Sequence, residues 1–597
     1  MAEAPTPTST PDRDRDLASI QDARALARLA RAAQAELAEL SQERIDAIVD
    51  AMAAAVRPHA EELARLAVEE TGYGNVPDKI QKNLFASVRV HEAIRPLRTV
   101  GVVGRDEARR LVEIAEPFGV VAAIIPSTNP TSTAIYKALI ALKARCAIVL
   151  SPHPAATRCI TRTAALLRQG ALAAGAPTNA IGWMTSVTLE GTQELMKVRE
   201  VAVILATGGL GLVRAAYSAG KPAYGVGPGN APAFIERTAD VPKAVADVVT
   251  GKTFDYGVLC SSENSVVVDA PVAEAVRAEF LAQGGHFLSP ADIEAVGRAL
   301  VTPQRLPNPT LVGKPATYIA ECAGITVPPG TRVLLAPLQG VGRDYPLSIE
   351  KLCPVLSYYE VRDWREGCER CKQILRYGGM GHTMAIHSRD EAVILEFGLH
   401  KPAFRIVVNT PTSHGSIGLT TGLDPALTLG CGGFGGNITS DNIAPRHLLN
   451  IKRLAYELRP APRSTAATAA PAATSAAAAG PAAPLPDLVQ RFLAERGIAP
   501  PTPSPRLSGQ APGPTQPAGT TGTTPGSAER ASAGPASASL APTAPPADFV
   551  CEDDVREALR LGRTIQLAPR AIVTPAARDL GETRGVFVRA PDNERSR

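Results

Sequence analysis

The sequence contains no long apolar run and no excess of one charge. No stretch reaches the roughly 18 consecutive apolar residues of a membrane helix, so we expect no membrane span. The first residues, MAEAPTPTSTPDRDRD, lack the apolar core of a secretory signal. The net charge of +4 comes from acidic and basic residues that are mixed along the chain, so we expect no nucleic-acid partner.

Cysteine is scarce and has no framework spacing. The nine cysteines of the 597-residue chain indicate free thiols in a reducing cytoplasm rather than a disulfide scaffold. Cys368 and Cys371 form a lone CxxC, without a second pair or a histidine at zinc-site spacing. We expect two ordinary thiols on one helix there and no metal, with a metal or redox role as the less favoured alternative.

The chain is longer than one ordinary core, and its patterns indicate several regions. Residues 1–16 are rich in Pro, Thr and Asp and are expected to be disordered. From Leu17 to about Ala93 apolar residues recur at helical spacing. The clearest apolar stripe in this region consists of Ile45, Ile48, Val49, Met52 and Val56.

Beyond this helical region the apolar period changes to that of β-strands. Two strands near 99–117 are predicted to form a hairpin around the turn Arg105-Asp106-Glu107. The segments GVVAAIIP, CAIVLSP and VAVILATGG then read as buried strands, each followed by a helix. A second region, 231–430, contains the predicted strands NSVVVD, ATYIAE and PVLSYYEV. Apolar strands that alternate with helices predict an α/β fold with parallel sheets covered on both faces.

The composition changes near Leu458. Residues 459–547 consist mainly of Ala, Pro, Thr, Ser and Gly and are expected to be a disordered linker. Within it, residues 485–498 predict a short amphipathic helix that is not stable alone in water. Its stripe comprises Leu485, Leu488, Val489, Phe492 and Leu493. Residues 548–597 predict a small module, with one helix in DDVREALRLG and an extended segment, a turn and a short helix in TIQLAPRAIVTPAARDLG.

The segment FDYGVLCSSENSVVVD places Cys260 in a loop between a predicted helix that ends near Thr253 and a predicted strand that begins near Ser265. A thiol on a loop held by rigid elements is well placed to act as a nucleophile. A thiolate suits aldehyde chemistry, because the thioester that follows remains reactive toward a second thiol. Taken alone, a lone cysteine is more often inert than catalytic.

Two further segments place special residues between a strand and a helix. In IIPSTNPTSTAIYK, the Asn129 amide could donate to a developing oxyanion beside the N–H groups of the helix start. A simple Asn-Pro turn or N-cap is the alternative interpretation. In ATGGLGLV, Gly208 and Gly209 would let a phosphate-bearing ligand approach the backbone. The stretch is not GxGxxG, and two glycines alone do not establish a dinucleotide site.

Taken together, these segments resemble the aldehyde dehydrogenase superfamily, and specifically its coenzyme-A-acylating branch. The resemblance covers about Leu17 to Leu458. Its matches are EPFGVVAAIIPSTNPTSTAIYKALIALKA, IVLSPHP, ATGGLGLVRAAYSAGKPAYGVGPGNAP, FDYGVLCSSENSVVV, EKLCPVLSYY, GGMGHT, LTLGCGGFGGN and HLLNIKR. Several motifs in the same order are more specific than any one of them.

The resemblance implies an aldehyde dehydrogenase fold. A Rossmann-like cofactor-binding domain is expected at 17–230, with an oligomerisation hairpin near 99–117. An α/β catalytic thiol domain is expected at 231–430, followed at 431–458 by a segment that returns to the cofactor and oligomerisation region. The family also implies a homodimer or homotetramer.

The functional residues of the family are carried over motif by motif. Cys260 matches the nucleophile, and Asn129 matches the amide that stabilises the oxyanion together with the backbone N–H of Cys260. Glu350, in EKLCP, matches the acidic residue that contacts the nicotinamide ribose. The remaining matches are Gly208 and Gly209 for the cofactor-binding turn, Pro152 and His153 for the adenosine ribose, and His382 for the coenzyme A or substrate pocket.

One departure from the hydrolytic members concerns the acyl acceptor. Those members carry a Glu-Leu-Gly-Gly motif whose glutamate activates water, whereas the matching stretch here, GVGPGN at 225–230, has no carboxylate. The thiol of coenzyme A needs less activation than water. The resemblance therefore implies oxidation of a short-chain aldehyde with NAD, or alternatively NADP, and coenzyme A. The alternatives are a hydrolytic enzyme that releases a free acid and an inactive scaffold protein.

The helix predicted at 485–498 resembles the encapsulation peptides that direct enzymes into bacterial microcompartments. An incidental helix in a linker is the alternative. The module at 548–597 resembles segments of other microcompartment-associated enzymes. The resemblance implies shell or cargo proteins as partners of the tail, and a location in the cytoplasm, inside a microcompartment.

Overall fold

The computed structural model describes residues 11–461, 547–573 and 575–589. The chain divides into two compact units, Met1–Ala466 and Ala467–Arg597. The amphipathic helix expected at 485–498 and nearly all of the linker expected at 459–547 lie outside the described residues.

The N-terminal region is helical, as its apolar spacing predicts. Its elements are α1 (Pro11–Ala38), α2 (Gln42–Val56), α3 (Ala60–Thr71), α4 (Val76–Leu84) and α5 (His91–Ile94), followed by the strands β1 (Gly101–Asp106) and β2 (Leu111–Pro117). The first helix begins inside residues 1–16, for which the sequence predicts disorder. A proline at the first helical position and acidic residues in the first turn favour a helix start there.

The first parallel sheet contains the strands predicted within residues 17–230. In chain order its elements are β3 (Val120–Ile125), α6 (Pro130–Lys143), β4 (Ala147–Pro152), α7 (Thr157–Ala173), β5 (Ile181–Trp183), α8 (Leu189–Lys197), β6 (Val201–Thr207), α9 (Leu210–Tyr217) and β7 (Ala223–Val226). The strand order is β5-β4-β3-β6-β7, and each neighbouring pair is parallel. Every residue of β3 and β4 is buried, as expected for a sheet covered on both faces.

The second parallel sheet follows and has the strand order β10-β11-β12-β9-β8-β13-β14. In chain order its elements are β8 (Ala231–Ile235), α10 (Val241–Thr253), β9 (Glu263–Asp269), α11 (Ala273–Ala282), β10 (Gly285–Phe287), α12 (Pro290–Leu300), α13 (Ala316–Ala323), β11 (Val333–Pro337), β12 (Val355–Val361), α14 (Trp364–Tyr377), β13 (Gly381–His387), α15 (Glu391–Leu399), β14 (Ala403–Val408) and α16 (Thr412–Ser416). Val267 of β9 packs in one apolar cluster, and its neighbours Val266 and Val268 pack in another. Alternate side chains of the strand therefore fill the cores on the two faces of the sheet.

The segment ATYIAE is helical, and its prediction as a strand was wrong. It lies in α13, which starts after Pro315 and ends at Gly324 in the left-handed region with φ 72°. Ala316, Ile319 and Ala320 are its buried residues. Their spacing of three and four is helical, and it outweighs the β preference of the Tyr and Ile side chains.

A third sheet joins the hairpin to the end of the first unit. The hairpin expected near 99–117 is confirmed, since β1 and β2 pair antiparallel. The strand β15 (Leu449–Ala455), which was not predicted, pairs antiparallel with the other edge of β2. Before it, Ile417, Ala426 and Leu429 already pack in the core of the first sheet. The chain therefore returns to the core of the first sheet before residue 431, whereas the sequence predicts a return that begins at residue 431.

The second unit contains a small module between residues 547 and 589. Its elements are β16 (Ala547–Val550), α17 (Glu552–Arg560), β17 (Ile565–Val573), α18 (Pro575–Thr583) and β18 (Phe587–Arg589). The strands form a parallel sheet in the order β16-β17-β18. The two predicted helices and the extended segment between them are confirmed. The module has its own apolar cluster, made of Val550, Val555, Ala558, Ala577 and Val586.

Gly170 marks the closest approach between α7 and α2. A Cβ there would lie 2.6 Å from the carbonyl oxygen of Ala51 and 2.7 Å from the Cβ of Ala55. We expect Gly170→Ala to destabilise the protein by about 1–3 kcal/mol in urea denaturation, although alanine favours a helix over glycine by about 1 kcal/mol. The control Leu172→Ala, at a 40% exposed position of the same helix, should change stability by no more than about 0.5 kcal/mol. Unchanged stability of the Gly170 variant would contradict the close packing.

Candidate active site

One cavity of about 450 Å³ collects segments from both parallel sheets of the first unit. It is lined by the segments that follow β3, β4 and β6 in the first sheet and by segments that precede β8, β9 and β12 in the second. The predicted site residues in its lining are Asn129, Pro152, His153, Gly208, Gly209, Cys260 and Glu350. Residues that lie far apart in the sequence thus share one concave site, as is typical of ligand pockets in α/β folds.

Cys260 lies in the short segment that connects α10 to β9. The segment turns through Asp255 and Tyr256, which have φ angles of 49° and 52° in the left-handed region, and continues through Gly257 at φ 76°. Non-glycine residues rarely adopt this conformation, so tertiary contacts must hold it. Asp255 is fully buried and hydrogen-bonded on both its backbone and its side chain. The segment that places Cys260 in the cavity wall is therefore held at its N-terminal end, at Asp255.

The Cys260 thiol is protonated at neutral pH in the unliganded protein. Burial raises the pKa of this thiol to about 12, and the nearby carboxyl group of Glu350 adds to the increase, while Arg405 opposes it. Since the thiolate is the nucleophilic form, attack on a substrate requires a base that removes the proton as the bond forms.

Gly229 brings the segment before β8 into contact with the thiol segment. A Cβ at this position would lie 2.2 Å from the carbonyl oxygen of Cys260, a distance that no side chain allows. The Gly229 N–H donates to Oε1 of Glu350 over 2.9 Å. Burial raises the pKa of Glu350 to about 7, although the Gly229 N–H opposes the shift. This carboxyl group can therefore take up or release a proton near neutral pH.

The stretch GVGPGN contributes Val226, Gly227 and Pro228 to the cavity wall. None of these residues has a side chain that accepts a proton. Among the residues that line the cavity, Glu350 is the one with a carboxyl group. Any carboxylate base for chemistry at Cys260 therefore comes from the segment before β12, and not from the stretch that carries the glutamate in hydrolytic enzymes.

Asn129 is the N-cap residue of α6, but its side chain makes no capping hydrogen bond to that helix. Its Oδ1 accepts a hydrogen bond of 2.6 Å from Nζ of Lys82. Its Nδ2 donates to Oγ1 of Thr128 over 3.2 Å. An amide nitrogen carries two hydrogens, so the second hydrogen is available to a ligand in the cavity. The simple N-cap interpretation therefore does not explain this side chain.

The residues expected to hold a dinucleotide line the cavity at the ends of β4 and β6. Gly208 is packed, since a Cβ there would lie 2.7 Å from Cδ2 of Leu212. Around a Cβ placed at Gly209, in contrast, no described atom outside the adjacent residues lies within 4 Å. Gly209 is the N-cap residue of α9, and the first N–H groups of a helix favour a phosphate. Nδ1 of His153 accepts a hydrogen bond from the N–H of Ala155, and burial lowers the pKa of His153. The imidazole is therefore neutral at pH 7.

His382 does not line the cavity, in contrast to the position expected from its motif. It is fully buried in β13, and its Nδ1 lies 2.9 Å from Oγ1 of Thr383. The ring lies behind Gly229, where an added Cβ would be 3.3 Å from Cγ of His382. Burial lowers the pKa of His382 to about 3, so the imidazole is neutral. It contacts the thiol region through the Gly229 backbone.

The described residues contain no group of three or more His, Cys, Asp or Glu side chains arranged to hold a metal ion. Cys368 and Cys371 are both buried on α14, so the two thiols lie on one helix as predicted.

Across the described ranges of the chain, no helix has both the length and the apolar character of a membrane span.

A cluster of buried charges beside Asn129 was not predicted from the sequence. Lys79, Lys82 and Asn83 are the buried residues of α4, so the buried stripe of this helix is polar. The spacing of three and four is visible in VPDKIQKNL, but lysines at such positions normally face solvent. Their partner Asp255 lies 173 residues beyond Lys82, and the sequence gives no sign of that pairing.

This chain is similar in sequence to known proteins of one family. The model of the aldehyde dehydrogenase family matches residues 6–286. The bifunctional aldehyde-alcohol dehydrogenase of Escherichia coli is 43% identical over 442 residues, which make up 73% of this chain and 50% of that protein. The chain therefore spans about half the length of the first curated relatives it matches.

Two solved structures resemble the fold. An acetylating aldehyde dehydrogenase from Geobacillus thermoglucosidasius shares 50% sequence identity and a TM-score of 0.74, over 76% of this chain and 100% of that one. A propionaldehyde dehydrogenase from the fucose utilisation bacterial microcompartment of Clostridium phytofermentans shares 27% identity and a TM-score of 0.65, over 73% of this chain and 98% of that one.

The raised pKa of Cys260 predicts a distinctive alkylation profile. With the thiol pKa at about 12, the iodoacetamide rate at Cys260 should rise about tenfold per pH unit from about pH 7 to about pH 9.5 without a plateau. Peptide mass spectrometry measures the rate at each cysteine, and the exposed Cys322 is the reference for a thiol in water. A plateau for Cys260 within this range would show that its thiolate is stabilised in the unliganded protein.

Proposed function

This chain belongs to the aldehyde dehydrogenase family, and we propose that it is a coenzyme-A-acylating aldehyde dehydrogenase. It converts a short-chain aldehyde, coenzyme A and NAD⁺ to acyl-CoA, NADH and a proton. One observation carries the proposal: the Cys260 thiol, the Asn129 amide and the glycine turn after β6 line one cavity, to which the stretch 225–230 brings no carboxylate. The 50% identity with an acetylating aldehyde dehydrogenase supports the same class of reaction.

In the first half of the reaction the Cys260 sulfur adds to the carbonyl carbon of the aldehyde. The thiol proton passes to a base, and Glu350, with its pKa raised to about 7 by burial, is the carboxylate of the cavity that can accept it. This role is additional to the ribose contact that the EKLCP motif suggests. The carbonyl oxygen becomes an oxyanion held by Nδ2 of Asn129 and the backbone N–H of Cys260. Loss of one such donor typically lowers turnover by about 10²–10³.

A bound dinucleotide would supply the hydride acceptor for this oxidation, and the protein's part would be to hold it beside the Cys260 adduct. Pro152, His153, Gly208 and Gly209 would hold it, which fits the open backbone at Gly209. The lining residues at this end are uncharged, with His153 neutral because burial lowers its pKa. NAD follows from the family resemblance, and NADP is the alternative.

Glu350 releases the first proton to solvent before the second half. It then takes the proton of the coenzyme A thiol, the coenzyme A sulfur adds to the thioester carbon, the carbon–sulfur bond to Cys260 breaks, and the proton returns to the Cys260 sulfur. A thiol of pKa about 8.5 gives up its proton to Glu350, whose pKa lies near 7, far more readily than water of pKa about 15.7 does. The side chains of Val226 and Pro228 offer water no other base. Coenzyme A is therefore the favoured acyl acceptor.

The proposal extends to the surroundings of the enzyme. The substrate is a short aliphatic aldehyde, and the oligomer is a dimer or tetramer formed through the hairpin of β1 and β2. The tail beyond residue 458 binds shell or cargo proteins, so that the enzyme works inside a bacterial microcompartment in the cytoplasm. Similarity to a propionaldehyde dehydrogenase from such a compartment and the apolar stripe within 485–498 support this part.

The reaction is tested by its need for coenzyme A. We expect NADH formation from propionaldehyde to fall at least about 100-fold when coenzyme A is omitted, because the thioester on Cys260 then has only poorly activated water as an acceptor. Absorbance of NADH follows the rate, and mass spectrometry identifies the product as propionyl-CoA or propionate. The variant Cys260→Ala sets the background, and Cys353→Ala, at a buried thiol outside the cavity, is its matched control.

A rate that does not depend on coenzyme A, with propionate as the product, would favour the hydrolytic alternative. Full activity of the Cys260 variant would show that the nucleophile is a different residue. A stable, dinucleotide-binding protein without turnover on any short aldehyde would favour the scaffold alternative.

The tail is tested by deletion of residues 459–597. We expect kcat of the shortened protein to remain within about twofold of that of the full chain, because every residue that lines the cavity belongs to the unit Met1–Ala466. Co-purification with microcompartment shells in a host that makes them should be lost. A full chain that does not enter shells, or a shortened protein that still does, would contradict the targeting role. A fall in turnover of the soluble shortened protein would instead indicate a structural role.

A further inference from the structure

Lys82 makes a buried contact with the candidate oxyanion donor. Its Nζ donates to Oδ1 of Asn129 over 2.6 Å, and its side chain is only 2% exposed. Lys82 lies on α4, whereas Asn129 lies at the start of α6. A lysine with its charge away from solvent is costly unless it is paired, so this contact needs an explanation beyond packing.

The partner of the lysine lies on the thiol segment. Oδ2 of Asp255 contacts Nζ of Lys82 and lies 2.9 Å from Nζ of Lys79. Its Oδ1 accepts a hydrogen bond of 2.8 Å from the N–H of Asn75, and its own N–H donates to Oδ2 of Asp78 over 2.7 Å. The start of α4 therefore holds Asp255, which begins the left-handed turn that leads to Cys260.

The chemistry of the two groups decides which end of the amide faces the ammonium. An ammonium group only donates hydrogen bonds, so it must meet the amide oxygen and not the amide nitrogen. In the flipped amide, Nδ2 of Asn129 would point its hydrogens at Nζ of Lys82, and Oδ1 would lie next to Oγ1 of Thr128. With Lys82 in place, the donor end of the amide is fixed away from the ammonium.

We propose that Lys82 is a positioning residue for the oxyanion contact, because it fixes the Asn129 amide with its nitrogen free to donate to the oxygen of the substrate. This inference rests on the proposed function, in which Asn129 stabilises the oxyanion. Lys82 itself does not touch the substrate in this arrangement, and it does not line the cavity. It acts through the amide.

Charge adds to this geometric effect. The ammonium behind Oδ1 polarises the amide and strengthens its N–H groups as donors. Lys79 and Lys82 share the single buried carboxylate of Asp255. The carboxylate of Asp78 accepts a hydrogen bond from the backbone N–H of Asp255. Burial lowers the pKa of Lys82 to about 8, while Asp255 opposes the shift, so the group remains mainly charged at pH 7. A negative charge that develops on the substrate oxygen is then favoured more than the neutral ground state.

The test uses two lysines that share the same carboxylate but differ in their second contact. Lys82→Met removes the contact with Oδ1 of Asn129, and Lys79→Met removes a contact with the backbone oxygen of Thr128 instead. We expect Lys82→Met to lower kcat by about 10- to 100-fold, and Lys79→Met by no more than about threefold. Both variants should lose similar stability in urea, because each leaves Asp255 one lysine.

A double-mutant cycle separates positioning from a purely structural role. If Lys82 acts through the amide, Lys82→Met should slow an Asn129→Ala enzyme by less than about twofold. NAD binding and the alkylation rate of Cys260 should match the wild type in the single lysine variant. Multiplicative losses in the double variant, or a Lys82→Met enzyme with wild-type kcat, would overturn the proposal.

A further variant keeps the test decisive if Lys82→Met does not fold. Lys82→Gln retains an N–H that can meet Oδ1 of Asn129 without the charge, and the same cycle with Asn129→Ala applies. A loss of kcat for Lys82→Gln that disappears in the Asn129→Ala background supports a role through the amide, and multiplicative losses again reject it. Wild-type activity of Asn129→Ala alone would instead overturn the role given to Asn129 in the proposed function, whatever the lysine variants do.

Discussion

The buried carboxylate of Asp255, which requires a charged partner, connects the segment that carries Cys260 to the N-terminal helix α4. Asp255 has no contact with solvent and shares Lys79 and Lys82 through one oxygen. These lysines belong to the N-terminal helices, while Asp255 belongs to the segment that carries Cys260. Removing a single partner from a buried ion cluster is strongly destabilising. The thiol segment therefore keeps its unusual backbone conformation only while α4 is docked against it, and the oxyanion amide depends on the same helix.

The layered fold follows from patterns that are local in the sequence. Fully apolar runs such as Val120–Ile125 predict buried parallel strands, and both parallel sheets contain strands found in this way. The two misses in the fold have different causes. Strand β15 is mostly exposed and was missed because it depends on a distant partner, β2, with which it pairs. The helix α13 was missed for a local reason, since its Tyr and Ile side chains favour a strand although its buried residues have helical spacing.

The candidate site also has features that the sequence predicts and features that it does not. Motifs that lie in continuous segments indicated Cys260, Asn129 and the glycine turn after β6, and these residues share one cavity. Properties that arise from burial could not be predicted from the sequence. They include the pKa of Glu350 near 7, the neutral ring of His382 outside the cavity and the pairing of Lys82 with Asp255. Each depends on what surrounds a side chain in three dimensions, which no local spacing encodes.

The pairing of β15 also has a mechanical consequence. The chain leaves this strand after Ala455, and every residue from Leu449 to Ala455 faces a partner in β2. A pull on the chain beyond this point acts first on the contacts of Tyr456 and Glu457 with Arg110 and then on the pair of Ala455 with Leu111. Exposed pairs of opposite charge, such as Arg453 with Glu113, lie along the ladder of β15 and β2. A force applied through the tail would therefore load this peripheral sheet first, whereas Cys260 lies between α10 and β9 of the second sheet.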